Sequence, residues 1–158
     1  MKVEVLMTQS TQHCSPRQSL ADAARLMWDQ DCGSLPVVES DRRVVGMITD
    51  RDICMSAYFK GVPLHEISVE STMSARLVSC RSDDTIETAE AMMANAQVRR
   101  LPVTDEAGCL LGILSLNDLA LEAARGRASK THEIELTDVA LTLSAVCRRP
   151  FPTVVVGV

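Results

Sequence analysis

Apolar residues recur at helical spacing in two places. After Ser19, the residues Leu20, Ala23, Ala24, Met27 and Trp28 fall on one side of a helix; after Thr85, Ile86, Ala89, Met92, Met93 and Ala96 do the same. Ser19 and Thr85 can each accept a first-turn N–H, so both stripes open on a capping residue. Each stripe runs into a polar stretch, residues 29–33 or 95–99, and then into Leu35-Pro36-Val37 or Leu101-Pro102-Val103. Proline is tolerated at the start of a strand, where its missing N–H does little harm. A polar turn follows, 39–42 or 105–108, and then a second apolar run, 44–48 or 110–114, which predicts a hairpin. A second helix is expected after Thr49, carrying Ile53, Ala57 and Tyr58, and after Ser115, carrying Leu119, Leu121 and Ala123. A short strand is expected ahead of each first helix, near His13-Cys14 and near Val78-Ser79.

The two series share one offset of 66 residues (102 − 36 and 112 − 46) without a gap, which also pairs Val3 with Val69, Cys14 with Cys80 and Met27 with Met93. The chain therefore reads as two β-α-β-β-α repeats of an α+β fold packed with pseudo-two-fold symmetry. Residues 1–60 form the first repeat, 61–66 a linker with Gly61 and Pro63 as breakers, and 67–126 the second. A unit this short buries too little apolar surface alone, so the copies should share a core and place function in the cleft between them. Residues 127–158 form a tail. Leu136, Ala140, Leu143 and Cys147 make a stripe that predicts a helix docked by that face, ahead of Pro150, Pro152 and a run of valines at 154–156.

Composition narrows the function classes. Hydrophobic residues make up 46% of the 158 residues but aromatics only 3%, so the core is aliphatic and methionine-rich. A net charge of −5 disfavours a nucleic-acid surface, and the Arg pairs at 99–100 and 148–149 are too small to supply one. No apolar run approaches the roughly 18 residues that would span a bilayer, and Glu4 interrupts any signal-like start, so a cytoplasmic protein without membrane contact is expected. Six cysteines have no C-x-x-C spacing and are expected to be reduced, small apolar residues.

Thr49-x-x-Asp52 and Ser115-x-x-Asp118 lie where strand turns into helix. One reading is a capping box, with hydroxyl and carboxylate closing the first turn. The other is a ligand site: free N–H groups and positive helix-end charge suit a phosphate, and a carboxylate one turn in accepts from both hydroxyls of a ribose. Catalytic and metal residues are not expected. His13 and Cys14 point to opposite faces of a strand, and His65-Glu66 and His132-Glu133 lack the second histidine of a zinc helix.

The doubled β-α-β-β-α unit, with Leu-Pro-Val and Gly-h-h-Thr/Ser-x-x-Asp in register, resembles a tandem pair of CBS (cystathionine-β-synthase) domains, or Bateman module, over about residues 1–125. The resemblance implies a regulatory module, not an enzyme, that binds an adenine nucleotide (AMP, ADP or ATP) between its repeats, requires no cofactor, and signals to an unidentified partner protein. It implies Thr49 and Ser115 at phosphate or ribose, Asp52 and Asp118 on the ribose hydroxyls, His13 or Ser79 beside the adenine, and Leu-Pro-Val as the apolar wall. Arg99 and Arg100 match a position that supplies phosphate charge in some members; the first repeat has Gly33 and Ser34 there, so the two clefts should be unequal. Two alternatives are a structural scaffold with vestigial clefts and a binder of S-adenosylmethionine or a dinucleotide. Assembly is expected as a homodimer through the helices that begin at Ser19, Thr49, Thr85 and Ser115.

Overall fold

The computed structural model describes residues 1–129 and 134–148. The expected stripes become helices. In the first repeat these are α2 (Leu20–Asp29) and α3 (Asp50–Lys60), around the hairpin β2 (Ser34–Val38) and β3 (Val44–Thr49). In the second they are α4 (Ile86–Ala96) and α5 (Leu116–Ser129), around β5 (Arg100–Thr104) and β6 (Leu110–Ser115). A short helix α1 (Val3–Leu6) and strand β1 (Thr8–Gln9) precede the first repeat, and β4 (Cys80–Arg81) precedes α4. In the first repeat Cys14, at its expected place, makes only an isolated bridge to Val37, while in the second the leading strand lies two residues C-terminal of its expected place, with Cys80 opposite Val103. Each hairpin carries an irregularity at an equivalent position, between Val37 and Val38 and between Val103 and Thr104.

The repeats exchange their N-terminal segments. β1 pairs antiparallel with β6 of the second repeat, Thr8 opposite Ile113, while Ser74 bridges Met47 of the first repeat. Val3 is fully buried in the core of the second repeat, with Ile86, Met93, Leu101 and Leu119; Val69 is fully buried in the core of the first, with Leu20, Met27, Leu35 and Ile48. The sequence repeat and the packed unit are therefore offset, and neither repeat closes its core without the other. Burying side chains of this size stabilises by about 1.5–3 kcal/mol each. The hairpins also meet edge to edge: Arg43 bridges Cys109, its own repeat equivalent, and Val38, Val44 and Leu110 form a small third core there.

Three expectations on individual residues are corrected. Trp28, Tyr58 and Leu121 are 87%, 78% and 57% exposed, because α2, α3 and α5 each need only a narrow stripe against their sheets. The tail helix forms as α6 (Leu136–Val146) and packs on α4 and α5 of its own chain. It does so by another face: Val139, Thr142 and Val146 are buried, while Leu136, Ala140, Leu143 and Cys147 are exposed. This helix is apolar on more than one side, and the buried carboxyl of Glu90 on α4, 3.4 Å from the Thr142 hydroxyl, selects the side that carries a donor. Two of the four helices expected at a dimer contact are thus covered by α6. The valines at 154–156 and the two tail prolines lie outside the described residues.

Candidate functional site

Both strand-to-helix motifs close as capping boxes. Thr49 Oγ accepts from the Asp52 N–H at 3.1 Å, and Asp52 Oδ2 accepts from the Thr49 N–H at 2.9 Å and the Thr49 hydroxyl at 2.7 Å. Ser115 and Asp118 repeat this, with 3.3, 2.8 and 2.7 Å. Ser19 and Asp22 make the same box on α2, so the motif caps a helix wherever it occurs. At Thr85 the partner is Thr88 and only the hydroxyl half forms. In every box Oδ2 does the capping, and Oδ1 takes part in none of these bonds. Asp52 and Asp118 can therefore cap and still offer an acceptor outward.

One row of residues joins the two motifs. Ser34 lies opposite Thr49 in the first hairpin and Arg100 opposite Ser115 in the second. Arg100 Nη1 donates to Ser34 Oγ at 3.0 Å across the pseudo-two-fold. The order is Thr49, Ser34, Arg100, Ser115, with a single guanidinium at its centre.

That guanidinium borders two small cavities. One, of about 300 Å³, is lined by Arg99, Arg100, Ser115, Leu116, Asn117 and Leu143 of the tail helix. The other, of about 270 Å³, has Leu35 and Pro36 as an apolar wall and Ser34, Thr11, Gln12, Gln30 and Arg100 as polar lining. The first stands at the low end of small-molecule sites, about 300–1,000 Å³, and the second just below it. Arg100 is half-buried, while Arg99, just ahead of β5, is exposed with its Nη2 4.0 Å from Cys147 Sγ. His13 is exposed and lines a different, open cleft of about 1090 Å³ with Gln12, Glu39, Arg42, Leu110 and Leu111. Thr49, Asp52, Ser79 and Asp118 do not line these cavities. The structure thus brings Arg99, Arg100 and Ser115 together and holds His13 elsewhere. Sequence reasoning missed Thr11, Gln12 and Gln30; the signal for the first two was the unbroken polar run at 8–13 just ahead of the buried Cys14.

The family model for the CBS domain matches residues 3–57 and 66–125. This chain belongs to the CBS domain family. It is 39% identical over 119 residues to the CBS domain-containing protein YhcV of Bacillus subtilis, covering 75% of this chain and 83% of that one. Solved CBS pairs share the fold. CBSX2, crystallised in complex with AMP, superposes with a TM-score of 0.70 at 24% identity, over 80% of this chain and 98% of that one. The CBS domain pair of MJ0100, crystallised with 5-methylthioadenosine and S-adenosyl-L-methionine, gives 0.69 at 20%, over 77% and 98%. Among the described residues no helix is long and apolar enough to cross a membrane.

Proposed function

We propose that this CBS pair is a cytoplasmic regulatory module that binds an adenine nucleotide between its repeats and passes occupancy to a partner protein, working as a homodimer. The observation that carries the reading is Arg100, a half-buried cation placed between the two motif hydroxyls and bordering two cavities. The phosphate would lie against Arg100 and Ser115 through charge-assisted bonds, the base against Leu35 and Pro36, and a ribose against the outward oxygen of Asp118 or Asp52. The AMP held by CBSX2 supports this chemistry on the same fold. S-adenosylmethionine, as held by MJ0100, is the second reading; a guanidinium beside a sulfonium would be repulsive, which favours the nucleotide. A binding role, not a catalytic one, is supported by Cys14: it is buried beside exposed His13, and burial pushes its thiol up to about 11.

The test is a melting curve with millimolar AMP, ADP, ATP or S-adenosylmethionine on the wild type, Asp52→Asn, Asp118→Asn and the double variant. A nucleotide at 100 times its Kd should stabilise by about 2.7 kcal/mol per site. Asn can turn its oxygen to the box and its NH2 outward, so capping survives while the ribose loses an acceptor. A wild type that shifts with no nucleotide leaves the scaffold; a shift only with S-adenosylmethionine selects the second reading. A nucleotide shift that survives the double variant refutes the assigned carboxylates.

A further inference from the structure

The cavity on the Ser115 side of Arg100 has a wall that neither repeat supplies. Arg99, Arg100, Ser115, Leu116 and Asn117 line it from the second repeat, and Leu143 lines it from α6. The match to the CBS domain ends at residue 125, so α6 is an addition to the pair. The helix is anchored on both sides of Leu143. Thr142 is buried with its hydroxyl on Glu90, Val139 and Val146 pack in the core of the second repeat, and the Gln97 amide donates to the Arg148 carbonyl just past the helix end. These contacts hold Leu143 at the cavity, where 46% of its surface stays in water. A leucine offers the cavity neither a donor nor a charge.

The lining decides which end of a nucleotide enters. Arg99 and Arg100 are its cations, and no carboxylate lines it. Their repeat equivalents are Gly33 and Ser34, and that of Leu116 is Asp50, so the first repeat offers no cation there and adds an acid. The phosphate end therefore belongs in the second repeat's cavity. A phosphate monoester carries about −1.5 to −2 at neutral pH, which two guanidiniums match. Each further phosphate adds negative charge. No third cation lines the cavity to meet it, and Arg148, exposed past the end of α6, is not part of the lining. Space acts in the same direction. In about 300 Å³ a longer phosphate chain runs against Leu143, where an anion loses water and gains no hydrogen bond, or it pushes α6 off its buried contacts.

We propose that α6 sets the phosphate length this module accepts: Leu143 closes the cavity behind the first phosphate, so a nucleoside monophosphate binds more tightly than its di- or triphosphate. The proposal rests on the nucleotide reading above and adds Leu143 to it as a specificity-determining residue.

Titration calorimetry of the full chain with AMP, ADP and ATP in magnesium-free buffer is the test. The wild type should bind AMP about tenfold more tightly than ATP, the worth of one unmatched charged contact. Leu143→Lys puts a cation at the closing wall and should erase that preference, chiefly by tightening ATP. Leu143→Ala opens the wall without adding charge and should reduce the preference by a smaller factor, which keeps the test alive if the lysine variant fails to fold. Leu141→Lys places the same charge on an α6 residue that is 69% exposed and does not line the cavity, and it should keep the wild-type preference. Far-UV circular dichroism of each variant separates misfolding from altered selectivity. A wild type that binds ATP as tightly as AMP, a preference unchanged in both Leu143 variants, or a preference lost equally in Leu141→Lys would each overturn the proposal and leave nucleotide binding standing. A wild type that binds no nucleotide would overturn both.

Discussion

Arg100 and Ser34 occupy equivalent positions of the two repeats, 66 residues apart, and hydrogen-bond to each other at 3.0 Å. A residue touching its own counterpart marks the pseudo-two-fold axis, and here the axis carries one cation and one hydroxyl where strict symmetry would place two cations. Arg100 thus carries a structural contact and the proposed ligand role, and two substitutions separate them. Ser34→Ala should lower stability by about 1 kcal/mol and leave nucleotide affinity nearly unchanged, because the guanidinium keeps its charge. Arg100→Ala should abolish most of the affinity. Calorimetry and denaturant unfolding on the same pair of variants check this; equal loss of affinity in both would deny Arg100 its phosphate.

Gly46 and Gly112 are fixed by close backbone approach. A Cβ at Gly112 would stand 2.5 Å from the Thr8 carbonyl oxygen, and one at Gly46 2.8 Å from that of Ser74. Each glycine is where the other repeat's leading segment crosses the hairpin. Gly112→Ala should destabilise by about 3 kcal/mol, since backbone must move, and Gly46→Ala by less. Urea unfolding of the two variants gives the order.

Cys14 and Cys80 are repeat equivalents, each 1% exposed, each with its thiol directed at a proline carbonyl, Pro36 or Pro102, at 3.9 Å. Burial pushes both thiols up to about 11. At pH 8 roughly one in a thousand would be thiolate, the form that reacts. In the folded protein iodoacetamide should therefore label the exposed Cys54 and Cys147 first and spare Cys14 and Cys80, as read by mass spectrometry of tryptic peptides.

Glu90 lies buried between α4 and α6; burial, with help from Asp138 and Glu87, holds its carboxyl above the usual range. The native state then binds this proton more tightly than the unfolded chain does. Stability from this group falls as pH rises from the ordinary glutamate value through the raised one, and it is regained on acidification through that window. Glu90→Gln keeps an acceptor for Thr142 and removes the charge. It should raise stability at pH 7 and flatten the profile above the ordinary glutamate value. Melting temperatures of both proteins across that range would show it; a destabilised variant would mean the carboxylate is satisfied as it stands.

The sequence by itself determined the repeat, its α+β class, the capped helices and the two hairpins, because these depend on local periodicity and on residues a few positions apart. It also pointed to Ser115 and the two aspartates, since the motif that holds them is contiguous, and to Arg99 and Arg100 as a pair. What only the tertiary structure decided are relations between distant segments. Sequence offset paired Val3 with Val69 but could not show that each packs in the other's repeat, a choice made by which core has room. Periodicity gave α6 an apolar stripe at Leu136, Ala140, Leu143 and Cys147, yet Val139, Thr142 and Val146 are buried: a helix apolar on two sides is oriented by the surface that receives it, and here that surface holds a buried acceptor at Glu90. Arg100 likewise read as one of two adjacent cations, and only the pairing of hairpins across the axis set it apart from Arg99.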